Sequence, residues 1–321
     1  MVNHALTGTS RVLDWWSGLA GPGKLLDPEA LAIVCVNALG SCYGSTGPAS
    51  LAPDGKPYGG RFPLVSVRDM VRAQRSALAA LGLHRFAAVL GGSLGGMQAL
   101  AWALEAPTDV DRAIVIGAYD HFSAMGIGLN AIAREAVRIA RTPREGIALA
   151  RKIAMLTYKS DALFARRFSR TVDRGGGDPY TNAADRFDIE GYLAHQGAIF
   201  ADRMETDAYL VLTRAMDLFD VRGVALVRHH PALTFVGISS DWLFLPNYVR
   251  AAAERYAAAG ATSGYLELVS DHGHDAFLAE TPALATLLGP IVAPLYAPAD
   301  PASLRPPKNP GSPQNRHVRK T

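Results

Sequence analysis

The sequence predicts an α/β fold, a mostly parallel sheet flanked by helices with one helical insertion, and three observations lead there. Short apolar runs of β type ("LAIVCVN", "RAIVIGA", "LTFVGIS", "GYLELVS") alternate with helical segments, the pattern of strands joined by crossover helices. The strand signal disappears between about Tyr119 and His230, where only helical spacing is found. The length of 321 residues, nearly half of them apolar, favours one large domain with a sizeable core over two small ones. The expected division is a first core segment over residues 1–118, an inserted helical lid over 119–230, a second core segment over 231–296 and a disordered tail over 297–321.

Each element has its own justification. "LAIVCVN" reads as a strand and is followed by the glycine-rich loop "ALGSCYGSTGP". Ser66 and Asp69 form a capping-box pattern that opens the helix "RDMVRAQRSALAAL", and Gly82 closes it. Next comes "AAVLGGSLGGMQALAWAL", Ala87 to Leu104, without a charge. A membrane helix with a GxxxG face is one reading. However, four glycines at about 1 kcal/mol each, with Ser93 and Gln98 among them, argue against a spanning helix. The stretch divides instead into a short strand, Phe86 to Leu90, a tight turn, and a helix from Met97 that ends before Pro107. In the insertion, "ALARKIAMLTY", "IEGYLAHQGAIFADRM" and "DAYLVLTRAMDLF" have helical spacing. After the strand "LTFVGIS" come the helix "NYVRAAAERYAAAG", the last strand "GYLELVS", and a final helix over roughly Phe277 to Val292.

The turn carries the chemistry. In G-G-S-L-G, Gly91 and Gly95 stand two residues to either side of Ser93, where a nucleophile elbow needs residues without side chains so that strand and helix can pass closely. The N–H of Leu94 then points from a helix N-terminus to where an oxyanion would form. A bare G-x-S-x-G is a weak signal, so partners are needed. Parallel sheets place chemistry at the carboxyl ends of strands. After "LTFVGIS" stands Asp241, and after "GYLELVS" stand His272 and His274. The order Ser…Asp…His is that of α/β-hydrolases: an imidazole takes the serine proton, and a carboxylate fixes the imidazole's tautomer. His274 is preferred over His272 because Gly273 lets the loop turn it back over the sheet. Taken singly, Asp241 could be a helix cap and either histidine a solvated side chain.

Composition excludes other classes. The net charge of +3 is misleading: beyond Ala297 lie five basic residues and one Asp, a tail of +4, which leaves residues 1–297 at −1. A near-neutral body argues against a nucleic-acid partner. Cys35 and Cys42 are the only cysteines, too few for a disulfide framework or a zinc site, and Cys35 reads as a buried structural thiol. No metal, no membrane association and a cytoplasmic location are expected, since the first residues lack a secretory signal pattern.

Beyond these motifs, "HALTG", "GPGK", "VNALGSCYGSTGP", "FPLVSVRDMVRAQ", "GGSLGGMQALAWA", "ALARKIAMLTY", "YLVLTRAMDLFDV", "SSDWLF" and "GHDAFL" resemble, in collinear order, the homoserine O-acyltransferase family. The resemblance runs from His4 to Leu278 and implies an α/β-hydrolase fold with a helical lid, usually as a homodimer. It implies acyl transfer from acetyl-CoA or succinyl-CoA, a donor substrate and not a bound cofactor, to homoserine in methionine biosynthesis by a ping-pong mechanism. Carried over by motif, Ser93 is the nucleophile, Asp241 the orienter and His274 the base. Leu6 and Leu94 would supply the oxyanion N–H groups, and Arg151 and Asp275 would hold the amino acid. Without the resemblance, Arg151 reads as a surface charge of the lid and Asp275 as a cap of the last helix. The sequence departs from the family at Leu94, where Met is usual. The insertion is also shorter between "LNAIAREAVRIA" and "TPREGIALAR", and only Met1 to Asn3 precede "HALTG", where further strands and hence a covered sheet edge are usual. Two alternatives stay open: a serine or other alcohol acyltransferase or esterase on the same fold, and a truncated, inactive subunit or binding module.

Overall fold

The computed structural model describes residues 1–227 and 230–296; the expected disordered tail lies outside them. Five parallel strands, β1 (Val2–Asn3), β2 (Val89–Gly92), β3 (Arg112–Ile116), β4 (Ala232–Ile238) and β5 (Ser263–Leu268), form one sheet in the spatial order β1-β2-β3-β4-β5. Successive side chains point to opposite faces, and each face has its own core. In β3, Ala113 and Val115 enter the larger cluster, whereas Ile114 and Ile116 enter the smaller one.

The helices follow from local chemistry. On the smaller face lie α1 (Val12–Trp15) and, near the chain's end, α10 (Ala276–Ala279) and α11 (Thr281–Val292), burying Trp16, Phe277, Leu284 and Leu288. The larger face takes α2 (Val67–Ala80), α3 (Leu94–Glu105) and α9 (Pro246–Ala258). The Ser66 capping box forms in full: the hydroxyl accepts from Asp69 N–H, and the Asp69 carboxylate accepts from Ser66 N–H at 2.9 Å. Between β3 and β4 the insertion contributes α4 (Ala124–Ile139), α5 (Pro143–Tyr158), α6 (Asp161–Arg167), α7 (Asp188–Ala201) and α8 (Thr206–Asp217). Ser123, Thr142 and Ser160 cap the first three of these. In α3, Leu94 to Ala103 are all buried. The helical part of the uncharged stretch is thus without a polar face because it runs through the core. No single helix among the described residues is long and apolar enough to cross a membrane.

Three expectations need correction. "LAIVCVN" is not a full strand: only Cys35 bridges Val2, and Val2 N–H donates to Val34 C=O. Its partner β1 is two residues long, so there is little ladder to extend it. The strand expected over Phe86 to Leu90 lies at Val89–Gly92, with Phe86 making a single bridge to Val110. The final helix is two helices, broken where Glu280 leaves helical geometry ahead of Pro282. Cys35 is only half-buried, though desolvation still pushes its thiol up to about 12.

Candidate active site

Ser93 sits between β2 and α3 with φ 59° and ψ −124°, a backbone conformation that costs a non-glycine residue of order 1–3 kcal/mol. The surrounding glycines allow it. A Cβ on Gly95 would lie 2.1 Å from Asn3 O, and one on Gly91 would lie 2.5 Å from both Asn3 O and the Gly95 carbonyl carbon. Strand, turn and helix therefore meet backbone to backbone. The Ser93 N–H donates to Ile116 C=O at 2.9 Å, tying the turn to β3.

Two loops from the carboxyl ends of β4 and β5 bring the other members. Asp241 is fully buried and uses its oxygens separately. Oδ1 accepts from the N–H groups of Leu243 and Phe244 at 2.9 and 2.8 Å, while Oδ2 lies 2.6 Å from His274 Nδ1. Asp241 is thus not a helix cap, since α9 starts at Pro246 with Leu245 as its N-cap; its carboxylate instead ties its own loop while it orients the imidazole. With Nδ1–H donating to Asp241, the His274 Nε2 is the free acceptor. This atom is buried and makes no hydrogen bond among the described residues. Burial opposes protonation of His274, but the charge and hydrogen bond of Asp241, and then the charge of Asp275, outweigh it and raise the imidazole above the usual histidine value. The ring is stacked on Phe244, with centroids 4.9 Å apart, and lies edge-on to Phe277 at 5.7 Å. His272 is half-exposed and faces Glu280, 3.7 Å away, rather than the serine.

A cavity of about 190 Å³ opens onto Ser93 and His274, and Leu6, Arg151, Tyr158, Arg203 and Asp275 line it as well. Ser93 and His274 therefore share one cavity with Leu6, Arg151 and Asp275. Asp241 stands behind it, and Leu94 opens α3 beneath it. Neither the Leu6 nor the Leu94 N–H donates to a backbone carbonyl among the described residues, as an oxyanion pair requires. Arg151 is not a solvated surface charge: it is half-buried, with its guanidinium 5.2 Å from the Tyr158 ring and 5.0 Å from the Phe200 ring. Asp275 precedes α10 but makes no side-chain cap bond; its carboxylate pairs with Lys159 Nζ at 3.0 Å.

A second, smaller cavity of about 30 Å³ also opens onto Ser93 and shares Leu6 and Tyr158 with the first. Its remaining lining includes Phe122, Leu129, Ile153, Met216 and Leu243 and contains no charged residue. Of its polar groups, Asn130 donates to Thr213 C=O and Asp217, and Thr157 to Ala154 C=O; the phenols of Tyr158 and Tyr209 line it as well. A larger groove of about 620 Å³ runs between residues 59–65 and helices α4 and α8, but none of Ser93, Asp241 and His274 lines it.

Sequence reasoning missed two supporting residues. His4 is buried at the start of "HALTG": its Nε2 accepts from Ala38 N–H at 2.9 Å, and its Nδ1–H donates to Ala5 C=O at 2.8 Å. Burial keeps this imidazole neutral, and the two bonds fix the segment that carries Leu6. Trp102 and Gln74 continue the support through Gln98, whose amide lies 3.3 Å from His4 C=O. Lys159 was missed because its partner is 116 positions away in sequence.

The comparisons bear on the fold and the family. The family model described as alpha/beta hydrolase fold matches residues 1–281. Among curated proteins, the chain is 40% identical to a homoserine O-acetyltransferase of Moorella thermoacetica, over 91% of this chain and 85% of that protein. It is equally 40% identical to a homoserine O-succinyltransferase of Halothiobacillus neapolitanus, over 88% of this chain and 77% of that protein. Among solved structures, the homoserine O-acetyltransferase from Bacillus anthracis superposes with a TM-score of 0.81 at 21% identity, covering 92% of this chain and 87% of that one. An acetylester hydrolase from Corynebacterium glutamicum superposes at 0.74 with 19% identity, over 92% and 84%. At such identities these two structures speak for the fold alone.

Proposed function

From the premise that the chain belongs to the α/β-hydrolase family and, within it, to the homoserine O-acyltransferases, we propose that it moves an acetyl group from acetyl-CoA to the hydroxyl of L-homoserine. In this reading it is a cytoplasmic homodimer acting in methionine biosynthesis. The observation that carries the reading is the pair of unlike cavities meeting at Ser93, one charged and one apolar. A zwitterionic acceptor needs charges of both signs, which Arg151 and Asp275 offer on one side. The acyl chain goes to the other side. A space of about 30 Å³ holds one or two water-sized groups, enough for an acetyl methyl. Succinyl would bury a carboxylate there against no cation, a cost of several kcal/mol. The relatives' names do not separate the two donors, so the cavity carries that choice.

The reaction divides into two half-reactions. Ser93 Oγ attacks the thioester carbonyl while His274 Nε2 takes its proton, and the oxyanion is held by the N–H groups of Leu6 and Leu94. Collapse breaks the C–S bond, and the CoA sulfur leaves with the proton from His274. The homoserine hydroxyl then attacks the acyl-serine, gives its proton to His274, and Ser93 Oγ departs with it. An arginine can grip the acceptor's carboxylate bidentately, which sets direction as well as charge. If water completed the second half-reaction, the protein would be an esterase; the charged cavity favours the zwitterion.

Mass spectrometry of products from acetyl-CoA and succinyl-CoA against a panel of amino alcohols tests this. O-Acetylhomoserine should dominate, and an acetyl adduct should appear on the wild type and not on Ser93→Ala. Succinyl transfer at an equal rate would overturn the donor assignment, and normal turnover by Ser93→Ala would overturn the mechanism. Arg151→Ala and Asp275→Ala should still acylate Ser93 in single-turnover mixing but transfer slowly and leak acetate. Equal loss of both steps would remove these residues from the acceptor site.

A further inference from the structure

One short segment of the lid, Tyr158 to Ser160, where α5 ends, touches both catalytic loops. The Tyr158 ring lies 5.9 Å from the His274 ring. Lys159 C=O accepts from the indole N–H of Trp242, the residue after Asp241, at 3.2 Å. Gly273, the residue before His274, has φ +62°, and a Cβ there would come within 2.8 Å of Lys159 Cα and 2.7 Å of its carbonyl carbon. Ser160 Oγ donates to Asp271 C=O. The Lys159 backbone is thus clamped between the loops carrying the orienter and the base. From that clamp its side chain reaches Asp275 Oδ2 at 3.0 Å, with the two side chains 14% and 20% exposed.

On the reading that this cavity takes an amino-acid acceptor, we infer that Lys159 is a positioning residue for that acceptor. Its ammonium holds one oxygen of Asp275 and balances the carboxylate's charge beside the base, leaving the other oxygen for the acceptor's ammonium. The chemistry of the carboxylate supports this. An ionised Asp has about four acceptor sites on two oxygens, so one ammonium does not exhaust it. Two carboxylates flank His274, Asp241 on Nδ1 and Asp275 next in the chain. Around the same cavity stand the cations Arg151 on α5 and Arg203, and the Tyr158 hydroxyl, which burial keeps protonated. Without Lys159, Asp275 would turn freely and would bias the imidazole towards its protonated form. Nothing in the sequence pattern or in the relatives' names assigns this residue a part.

The test compares the wild type with Lys159→Met and Lys159→Arg in two assays. Hydrolysis of p-nitrophenyl acetate needs no amino acid, and its rate against pH reports the protonation of His274. In Lys159→Met the acid limb should move to higher pH by about half a unit or more, because an uncompensated negative charge favours the imidazolium. The double variant Lys159→Met with Asp275→Asn should reverse that shift. In acetyl transfer, KM for homoserine should rise about tenfold in Lys159→Met, the scale of one charge-assisted hydrogen bond, while the alkaline plateau of ester hydrolysis falls far less. Lys159→Arg should restore both readouts. An unmoved acid limb with an unmoved KM would overturn the inference. So would a lower KM, which would make Lys159 a competitor of the acceptor. A loss of the plateau equal to the loss in KM, not rescued by arginine, would reduce Lys159 to a structural role and overturn it too. A wild type that is acetylated but transfers nothing to homoserine would instead overturn the acceptor assignment, while the acid limb still tests the pairing with Asp275.

Discussion

Asp241 has its carboxylate held in place by the loop that carries it. In the loop after β4 it satisfies two backbone N–H groups, and those bonds hold its second oxygen on His274 Nδ1. The rigidity of that loop makes the orientation of His274 reproducible. His274 and His272, two positions apart, differ in the same way: one is stacked against Phe244 and paired with a buried carboxylate, the other is half-exposed near Glu280. Replacing His274 by alanine should lower kcat by several orders of magnitude, because the triad acts as a unit, and replacing His272 should cost less than tenfold. A steady-state comparison of the two variants checks the ranking. The raised pKa fixes the sign of the pH dependence. His274 stays protonated above the usual 6.5, so the acid limb of kcat/KM for the donor should lie above that value, with activity growing as pH rises through it. Its contribution to stability runs the opposite way: it is fully present below the unfolded histidine's pKa and lost as pH rises through the folded one. Asp241→Asn should move the limb to lower pH and cost about 10⁴ in kcat. A limb that stays in place would mean that another group sets it.

At the scale of elements, the elbow depends on backbone contact that only glycine permits. Gly95→Ala would drive a Cβ to 2.1 Å from Asn3 O in a neighbouring strand, where nothing can rotate away. It should destabilise the protein by about 3 kcal/mol or more. Gly128→Ala inside α4 would meet no atom within 4 Å, so gained helix propensity should stabilise it by up to about 1 kcal/mol. Urea unfolding of the two variants side by side checks the contrast; similar losses in both would show that the elbow has slack. The glycines around Ser93 were therefore legible in the sequence, because their spacing has a steric cause. So were β3, β4, the Ser66 capping box and the helical insertion, all of which follow from local periodicity or capping chemistry. Features that depend on a distant partner were not legible. Whether "LAIVCVN" pairs along its length depends on the length of β1. The break at Glu280 did have a local signal, Pro282 at the start of α11. His4 and Lys159 take their meaning from Ala38 and Asp275, whose positions no local pattern encodes.

The whole molecule joins a closed core to a lid whose outside is less finished than its inside. Inward, the lid is tied down by ion pairs: Arg134 donates to Asp217 at 2.5 Å with both side chains almost fully buried, and the core's half-exposed Arg255 grips the buried Asp120, where the lid begins, by two nitrogens. Outward, α4 leaves Met125, Ile132 and Ile139 at 47, 58 and 71% exposure, one every seven residues along a single helix face. Its neighbour α5 leaves Leu149 and Leu156 exposed, again seven apart. Scattered exposed apolar residues need no explanation, but a heptad-spaced row on each of two adjoining helices has the form of a helix-packing seam. A second copy of the chain is the natural cover, since like seams close on themselves around a two-fold axis. Light scattering coupled to size exclusion should give a dimer for the wild type. Ile132→Glu combined with Ile139→Glu should give a monomer with an unchanged circular dichroism spectrum, because both changes fall on exposed positions and touch no core contact. Since α5 carries Arg151 and ends at Lys159, loss of the dimer should also loosen the acceptor site, and KM for homoserine should rise more than KM for the donor. A wild type that is monomeric at micromolar concentration would remove the seam's proposed partner, and a double variant that remains dimeric would place the interface elsewhere on the molecule.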